Sequence, residues 1–375
     1  MASQVLVEEK SCVRIFTLSR PQQLNALSFP MLSRLLELFL AFEEDPNVKL
    51  VILKGQGRAF CSGGDVAAGF PDIRRGGHWR PVADFMYKLY VTSYVIATNS
   101  KPQISILNGI VMGGGVGISV HGRFRIVTEN TVFSMPETFL GHFPDVGASY
   151  FLSRLPGSFG EYIGLTGTKL DGAETLACGL ATHFVPSSRL DALEADLCRA
   201  SATDAASISE IINAYSQKPC LKESSAYHRL EVIDKCFSRQ TVEEILYSLE
   251  REAAREADDW VSTAVLALKK ASPTGLKIAL RSIREGRMQG VGQCLIREFR
   301  MICHVVKGDI SKDHFEGIRA ILIDKDKNPK WNPSRLEDVT ESMVEHYFQA
   351  VTEDGWTDLK LPPRPNLPAS STSKL

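Results

Sequence analysis

The sequence of 375 residues predicts an α/β fold with a helical region packed behind it. Three observations carry this. Strand-like and helix-like segments alternate up to about Pro186, the mark of a layered α/β architecture. From about Leu190 the pattern changes to helix after helix. Two strands also run straight into glycine loops, at 55–64 and 109–115, and a glycine-rich strand end suits backbone approach to a ligand.

The elements follow in order. Residues 5–9 and 13–18 read as paired strands around a turn at Lys10-Ser11. A polar loop, Arg20 to Leu27, enters a helix with Ser28 as its cap and Pro30 in its first turn. Leu32, Leu35, Leu36, Phe39 and Leu40 recur at helical spacing, and Asp45-Pro46 ends the run. Residues 48–54 form the next strand, leading into Gly55-Gln56-Gly57 and Phe60-Cys61-Ser62-Gly63-Gly64-Asp65. Residues 71–99 begin irregular, with Gly76 and Gly77, and turn helical, as a lid or wall would. Ile104 to Leu107 is an apolar β-branched strand. Asn108-Gly109, Gly113, Gly114, Gly115 and Gly117 follow, then a strand at 124–127. Helices are expected at 146–155, 158–166 and 173–179, and a short strand at 182–185. Beyond 190, Thr241-Val242-Glu243-Glu244 is a capping box and Ser272-Pro273 another helix start. These helices are expected to pack on the core and cover the site. The expected organisation is a core over residues 1–189, a helical region of the same unit over 190–350, and a tail over 351–375.

Composition sets outer limits. The formal net charge of −1 points to neither nucleic acid nor an anionic membrane. Eight scattered cysteines without a C-x-x-C pair suggest reduced thiols, and the eight histidines show no metal-ligand spacing. No stretch is apolar for long enough to span a bilayer. The last residues, Ser373-Lys374-Leu375, match the S-K-L address read by the peroxisomal import receptor. A proline- and serine-rich tail leaves them reachable.

The chemistry concentrates between Ile104 and Ala148. Two glycine loops that each offer a backbone N–H to one oxygen would form an oxyanion hole; a tight strand-to-helix junction is the bland alternative. Two carboxylates follow in a proline- and aromatic-rich loop, Glu137 in Met135-Pro136-Glu137 and Asp145 in Phe143-Pro144-Asp145. Alone, each reads more simply as a helix-start acid or a cap.

The glycine loops, the Asn25-Ala26-Leu27 loop and the Pro136-Glu137 step resemble the crotonase (enoyl-CoA hydratase/isomerase) superfamily. Within it, Phe60 to Asp65, Met112 to Gly117 with His121-Gly122, Met135 to Thr138, Phe143 to Gly147 and Asp324 to Trp331 resemble the 3-hydroxyisobutyryl-CoA hydrolase family, its plant peroxisomal members most of all. The resemblance implies a crotonase-type spiral of ββα units with a C-terminal helical region packed on it. It implies hydrolysis of the thioester of 3-hydroxyisobutyryl-CoA, and of similar short 3-hydroxyacyl-CoAs, to free acid and CoA in valine catabolism. No cofactor or metal is implied, coenzyme A being part of the substrate. Carried over by position, Gly64 and Gly114 hold the thioester oxygen, and Glu137 and Asp145 are the catalytic carboxylates. Gln23, Asn25, Ala26 and Leu27 lie against CoA.

Glu137 then activates water or attacks the carbonyl directly, and Asp145 binds the 3-hydroxyl or moves a proton to the departing thiol. In the hydratases a second glutamate stands where this chain has Gly117, which counts against hydration. Ser62, His142 and Leu89 depart from the hydrolase pattern; Leu89 stands where a substrate-contacting glutamate is common. The basic segment 325–333 reads as a solvated loop or as a contact for a phosphorylated ligand. An isomerase, or an acyl-CoA-binding paralogue with little activity, are the competing readings; retention of Glu137 and Asp145 argues against the second.

Overall fold

The computed structural model describes residues 3–65, 78–200, 203–255 and 259–364. The irregular start of the 71–99 segment, with Gly76 and Gly77, and the Ser373-Lys374-Leu375 tripeptide lie outside the described residues.

The core is two sheets threaded by one spiral. β1 (Val5–Lys10), β2 (Val13–Leu18), β3 (Leu50–Gly55), β4 (Ala59–Cys61), β5 (Gln103–Leu107), β6 (Ile110–Met112), β7 (Phe124–Val127), β8 (Val132–Ser134), β9 (Leu170–Asp171) and β10 (His183–Phe184) follow in chain order. The larger sheet runs β1-β2-β3-β5-β7-β10 and is parallel except for the β1–β2 hairpin. The smaller runs β4-β6-β8-β9. Each of β3, β5 and β7 passes directly into a strand of the smaller sheet. Two of these corners need glycine. A Cβ on Gly55 would lie 2.5 Å from the Ala59 carbonyl oxygen, and one on Gly109 (φ +96°) 2.3 Å from that of Arg58. Only a residue without a side chain lets the chain step between sheets there.

Alternation along the strands splits the core. Val13 and Ile15, Leu50 and Ile52, Ile104 and Ile106, and Phe124 and Ile126 face one side. They pack on Leu193, Leu197, Ile208 and Ile212 from the helices Leu190–Arg199 and Ala205–Tyr215. Phe16, Leu18, Leu53, Leu107 and Val127 face the other side, in a core that continues through the C-terminal helices as far as Leu359.

The first helices after position 190 therefore cover the far face of the larger sheet, not the site, because the sheet's second apolar face must also be buried. The site is walled instead by residues 313–325. Ser28 caps the helix Phe29–Glu44, its hydroxyl accepting from the Met31 N–H. Thr241 and Glu244 make the expected capping box, and Ser272 caps the helix Pro273–Gly286. The helix expected over 146–155 is shorter, Ala148–Leu152, because Val146 and Gly147 adopt positive φ. Among the described residues no helix is long and apolar enough to cross a membrane.

Candidate active site

The two glycine loops meet at the end of the smaller sheet. Leu27 lies beside Gly64 in a parallel bridge. The Leu27 N–H donates to the Gly63 carbonyl and the Asp65 N–H to that of Leu27. In a parallel bridge the middle residue points its own amide the other way, so the Gly64 N–H is turned from this segment. Gly114 opens the short helix Gly114–Gly117, so its N–H lacks an intrahelical acceptor. A Cβ on Gly114 would lie 3.2 Å from the Gly64 nitrogen, and one on Gly63 (φ +112°) 3.6 Å from the Gly114 nitrogen. The two loops thus approach with bare backbone, each bringing one N–H without an acceptor among the described residues.

They form one wall of a cavity of about 550 Å³. Glu137, His142 and Asp145 line it, as do Met86 and Leu89 from the helix Arg80–Thr98, and His314, Leu322 and Lys325 from the C-terminal region. The structure therefore brings Gly64, Gly114, Glu137 and Asp145 to one cavity. The residues expected beside CoA divide. Ala26 lines the cavity. Leu27 is fully buried. Asn25 is buried and its amide is used up locally: it donates to the Gln56 and Ala59 carbonyls and accepts from the Arg20 N–H. Gln23 is exposed on the turn Pro21–Gln23, away from the lining. Asn25 thus ties the loop to the first glycine turn. Of the basic segment, Lys325 alone reaches the lining, with φ +58°.

Glu137 begins a 3-10 turn, Glu137–Leu140, but it is buried, and its Oε2 has no hydrogen-bond partner among the described residues. A Cβ on Gly113 would stand 3.0 Å from its Oε1. Burial, with the Asp145 charge nearby, pushes the Glu137 carboxyl well above its ordinary value of 4.5. A buried acceptor with nothing to accept from is what a site awaiting a ligand presents.

Asp145 does not cap the helix that follows it. Its Oδ2 accepts a 2.8 Å hydrogen bond from the Tyr90 hydroxyl, and its Oδ1 lies 3.7 Å from His142 Nε2. His142 Nδ1 is buried without a partner among the described residues. Burial, with His142 beside it, pushes His314 down to about 3, and its Nδ1 lies 3.0 Å from the Leu140 carbonyl.

The backbone after Asp145 is strained. Val146 is β-branched yet has φ +56°, a conformation such residues rarely adopt. Its carbonyl oxygen lies 2.9 Å from His121 Nε2. Glu298 accepts from the Gly147 N–H at 2.6 Å and from the Ser149 N–H and hydroxyl at 2.9 and 2.5 Å. Burial outweighs these bonds and pushes Glu298 up to about 7. On the other side, a Cβ on Gly117 would stand 2.5 Å from the Val146 Cβ and 3.0 Å from the Ser93 hydroxyl. Glycine at 117 makes room for the turn that carries Asp145.

Tyr90, His314 and Glu298 carry no local sequence signal, and His121 enters the sequence reading only as part of the His121-Gly122 motif, without a role. Tyr90 lies within an apolar helix face, and Glu298 acts across about 150 positions of chain.

A family model described as enoyl-CoA hydratase/isomerase matches residues 13–348. The chain belongs to the enoyl-CoA hydratase/isomerase family. Among relatives in this family, it is 71% identical to 3-hydroxyisobutyryl-CoA hydrolase 1 of Arabidopsis thaliana, covering 100% of this chain and 98% of that protein. It is 68% identical to probable 3-hydroxyisobutyryl-CoA hydrolase 3 of the same plant, over 98% of this chain and 97% of the other. Among solved structures it resembles a carnitinyl-CoA dehydratase from Mycobacterium thermoresistibile, with a TM-score of 0.87 and 33% identity. That match covers 97% of this chain and 100% of the other. The family fold agrees with the crotonase-type architecture, the helical C-terminal region included.

Proposed function

We propose that this cavity hydrolyses the thioester of 3-hydroxyisobutyryl-CoA to the free acid and CoA. The chain is an acyl-CoA thioester hydrolase. The observation that carries this reading is the meeting of two unclaimed glycine N–H groups and a buried, unpartnered Glu137 in one cavity, beside a position 117 that has no room for a side chain.

Attack on a thioester moves negative charge onto its oxygen. The Gly64 and Gly114 N–H groups receive that oxygen; a single donor of this kind is worth about 3 kcal/mol of barrier. Glu137 takes the proton from the attacking water, or attacks the carbonyl itself to give an anhydride that water then opens. Its raised pKa suits the first role, since a carboxylate with a raised pKa is a stronger base once ionised. Asp145, held by Tyr90 and flanked by His142, receives the substrate's 3-hydroxyl or passes a proton to the departing thiolate. Leu89 and Met86 give the acyl end an apolar wall. Lys325 at the lining is placed to meet a phosphate of CoA. Hydration of an enoyl-CoA would need a second acid where Val146 fills the space in front of Gly117.

In the cell we place this reaction in valine catabolism, with the peroxisome as its compartment and Ser373-Lys374-Leu375 as the address. The direct test is CoA thiol release from 3-hydroxyisobutyryl-CoA by the wild type and by Glu137→Gln. Release that falls by about 10²–10⁴-fold in the variant is the general-base expectation. Undiminished release would remove Glu137 from the mechanism.

A further inference from the structure

Outside the lining of the acyl-CoA cavity, three metal-ligating side chains converge where two helices end. His304 lies in the last turn of Val291–Lys307 and His346 in the last turn of Glu341–Phe348; Asp309 follows just after the first helix. His304 Nδ1 is 3.4 Å and His346 Nε2 3.7 Å from the same atom, Asp309 Oδ2, and all three donor atoms lie within 4.8 Å of one another. Ligands held about 2.0–2.2 Å from one tetrahedral ion stand roughly 3.4 Å apart. Two of the three spacings are therefore near that value before any ion arrives.

The second layer agrees. His304 is buried, and its other nitrogen, Nε2, lies 3.1 Å from the Gln349 carbonyl, to which only an N–H can donate. His304 Nδ1 then faces the Asp309 carboxylate oxygen at 3.4 Å, where a proton or a shared metal cation can join the two. A metal-ligating imidazole that donates its far N–H to a backbone carbonyl is the usual arrangement. The ends of both helices also carry partial negative charge. Lys307 Nζ lies 3.3 Å from Asp309 Oδ2 and 4.0 Å from Glu353 Oε2, so its ammonium has a second carboxylate to turn to when an ion takes its place.

We propose that His304, Asp309 and His346 form a site for a divalent transition-metal ion, Zn²⁺ by donor type, that cross-links the two helix ends. Two imidazoles and one carboxylate fit zinc better than the hard cations calcium and magnesium. No short-range spacing signals the site, because His346 is brought in from the next helix but one.

The probe is Co²⁺ added to metal-free full-length protein at pH 7.5, read by visible absorption and by calorimetry, with Zn²⁺ as competitor. One ion per chain, an absorption band of low-symmetry coordination, and displacement by Zn²⁺ are expected. His346→Ala, at a half-exposed position, and Asp309→Asn should each weaken binding more than about 100-fold, beyond the 10–100-fold that outer partners cost. Thiol release should stay unchanged in His346→Ala. Lys307→Met should tighten binding, by removing the resident competitor. Absence of stoichiometric binding at millimolar Co²⁺ and Zn²⁺ would overturn the proposal. So would binding that His346→Ala and Asp309→Asn leave intact; the cluster would then be an ion-pair network around Asp309.

Discussion

Glu137→Gln should act on stability and activity together, in opposite directions. The native carboxyl is buried, lacks a partner for Oε2 and titrates well above its ordinary value of 4.5. Below pH 4.5 both folded and unfolded chains hold the proton, and Glu137 imposes no penalty. As pH rises from 4.5 towards the raised folded value, the unfolded chain releases a proton that the native state keeps. Native stability then falls by about 1.4 kcal/mol per pH unit relative to a chain with glutamine there, and the difference levels off once the folded carboxyl ionises. Glutamine fits the same volume and never has to ionise. Urea unfolding of both proteins over a range of pH above 4 should therefore show the variant gaining on the wild type as pH rises, until the folded carboxyl ionises. The pH at which the curves become parallel is the folded pKa of Glu137. The acid limb of kcat/KM for the wild type should fall at that same pH, because the base must be ionised to work. A stability difference independent of pH, or an acid limb near 4.5, would refute the reasoning.

Other outcomes follow from the same geometry. Asp145→Asn removes the charge that helps raise Glu137, so the remaining activity should show its acid limb at lower pH. Glu298→Ala leaves the Gly147 and Ser149 amides buried and unbonded, at about 1–3 kcal/mol each; thermal unfolding should drop, and kcat should fall more than KM changes as the strained turn carrying Asp145 relaxes. Gly117→Ala forces a methyl to within 2.5 Å of the Val146 Cβ, costing about 1–3 kcal/mol by overpacking and lowering thiol release. Lys325→Met should raise KM for 3-hydroxyisobutyryl-CoA several-fold, and much less for a pantetheine thioester that lacks the nucleotide phosphates.

The parts of the fold that the sequence showed are those with a period. The hairpin at 5–18, the helix Phe29–Glu44 and the Ser272 cap are local, and their residues carry the pattern. The smaller sheet did not show. Ala59–Cys61, Ile110–Met112 and Val132–Ser134 are three residues each, too short to express an alternation. They form because tight corners, two of them at Gly55 and Gly109, drop the chain beside its previous turn. Glu137 and Asp145 stood out only in company with the glycine loops and the family pattern, since each alone reads as an ordinary helix-start acid. Tyr90 and Glu298 were invisible, and His121 showed only as a motif residue without a role, because their contacts to the Asp145 turn are set by three-dimensional packing. Asn25 attracted notice as a ligand contact, yet its burial assigns its amide to holding two loops together. The helices after 190 were expected over the site; a parallel sheet with two apolar faces claims the first pair for its far side.

The most direct test of the central claim compares 3-hydroxyisobutyryl-CoA with crotonyl-CoA on the wild-type protein. Thiol release and loss of enoyl absorbance would be followed in parallel. The geometry predicts rapid release of CoA from the hydroxylated thioester and no hydration of the enoyl one, because position 117 offers no second acid. Hydration of crotonyl-CoA without thiol release from either substrate would contradict it.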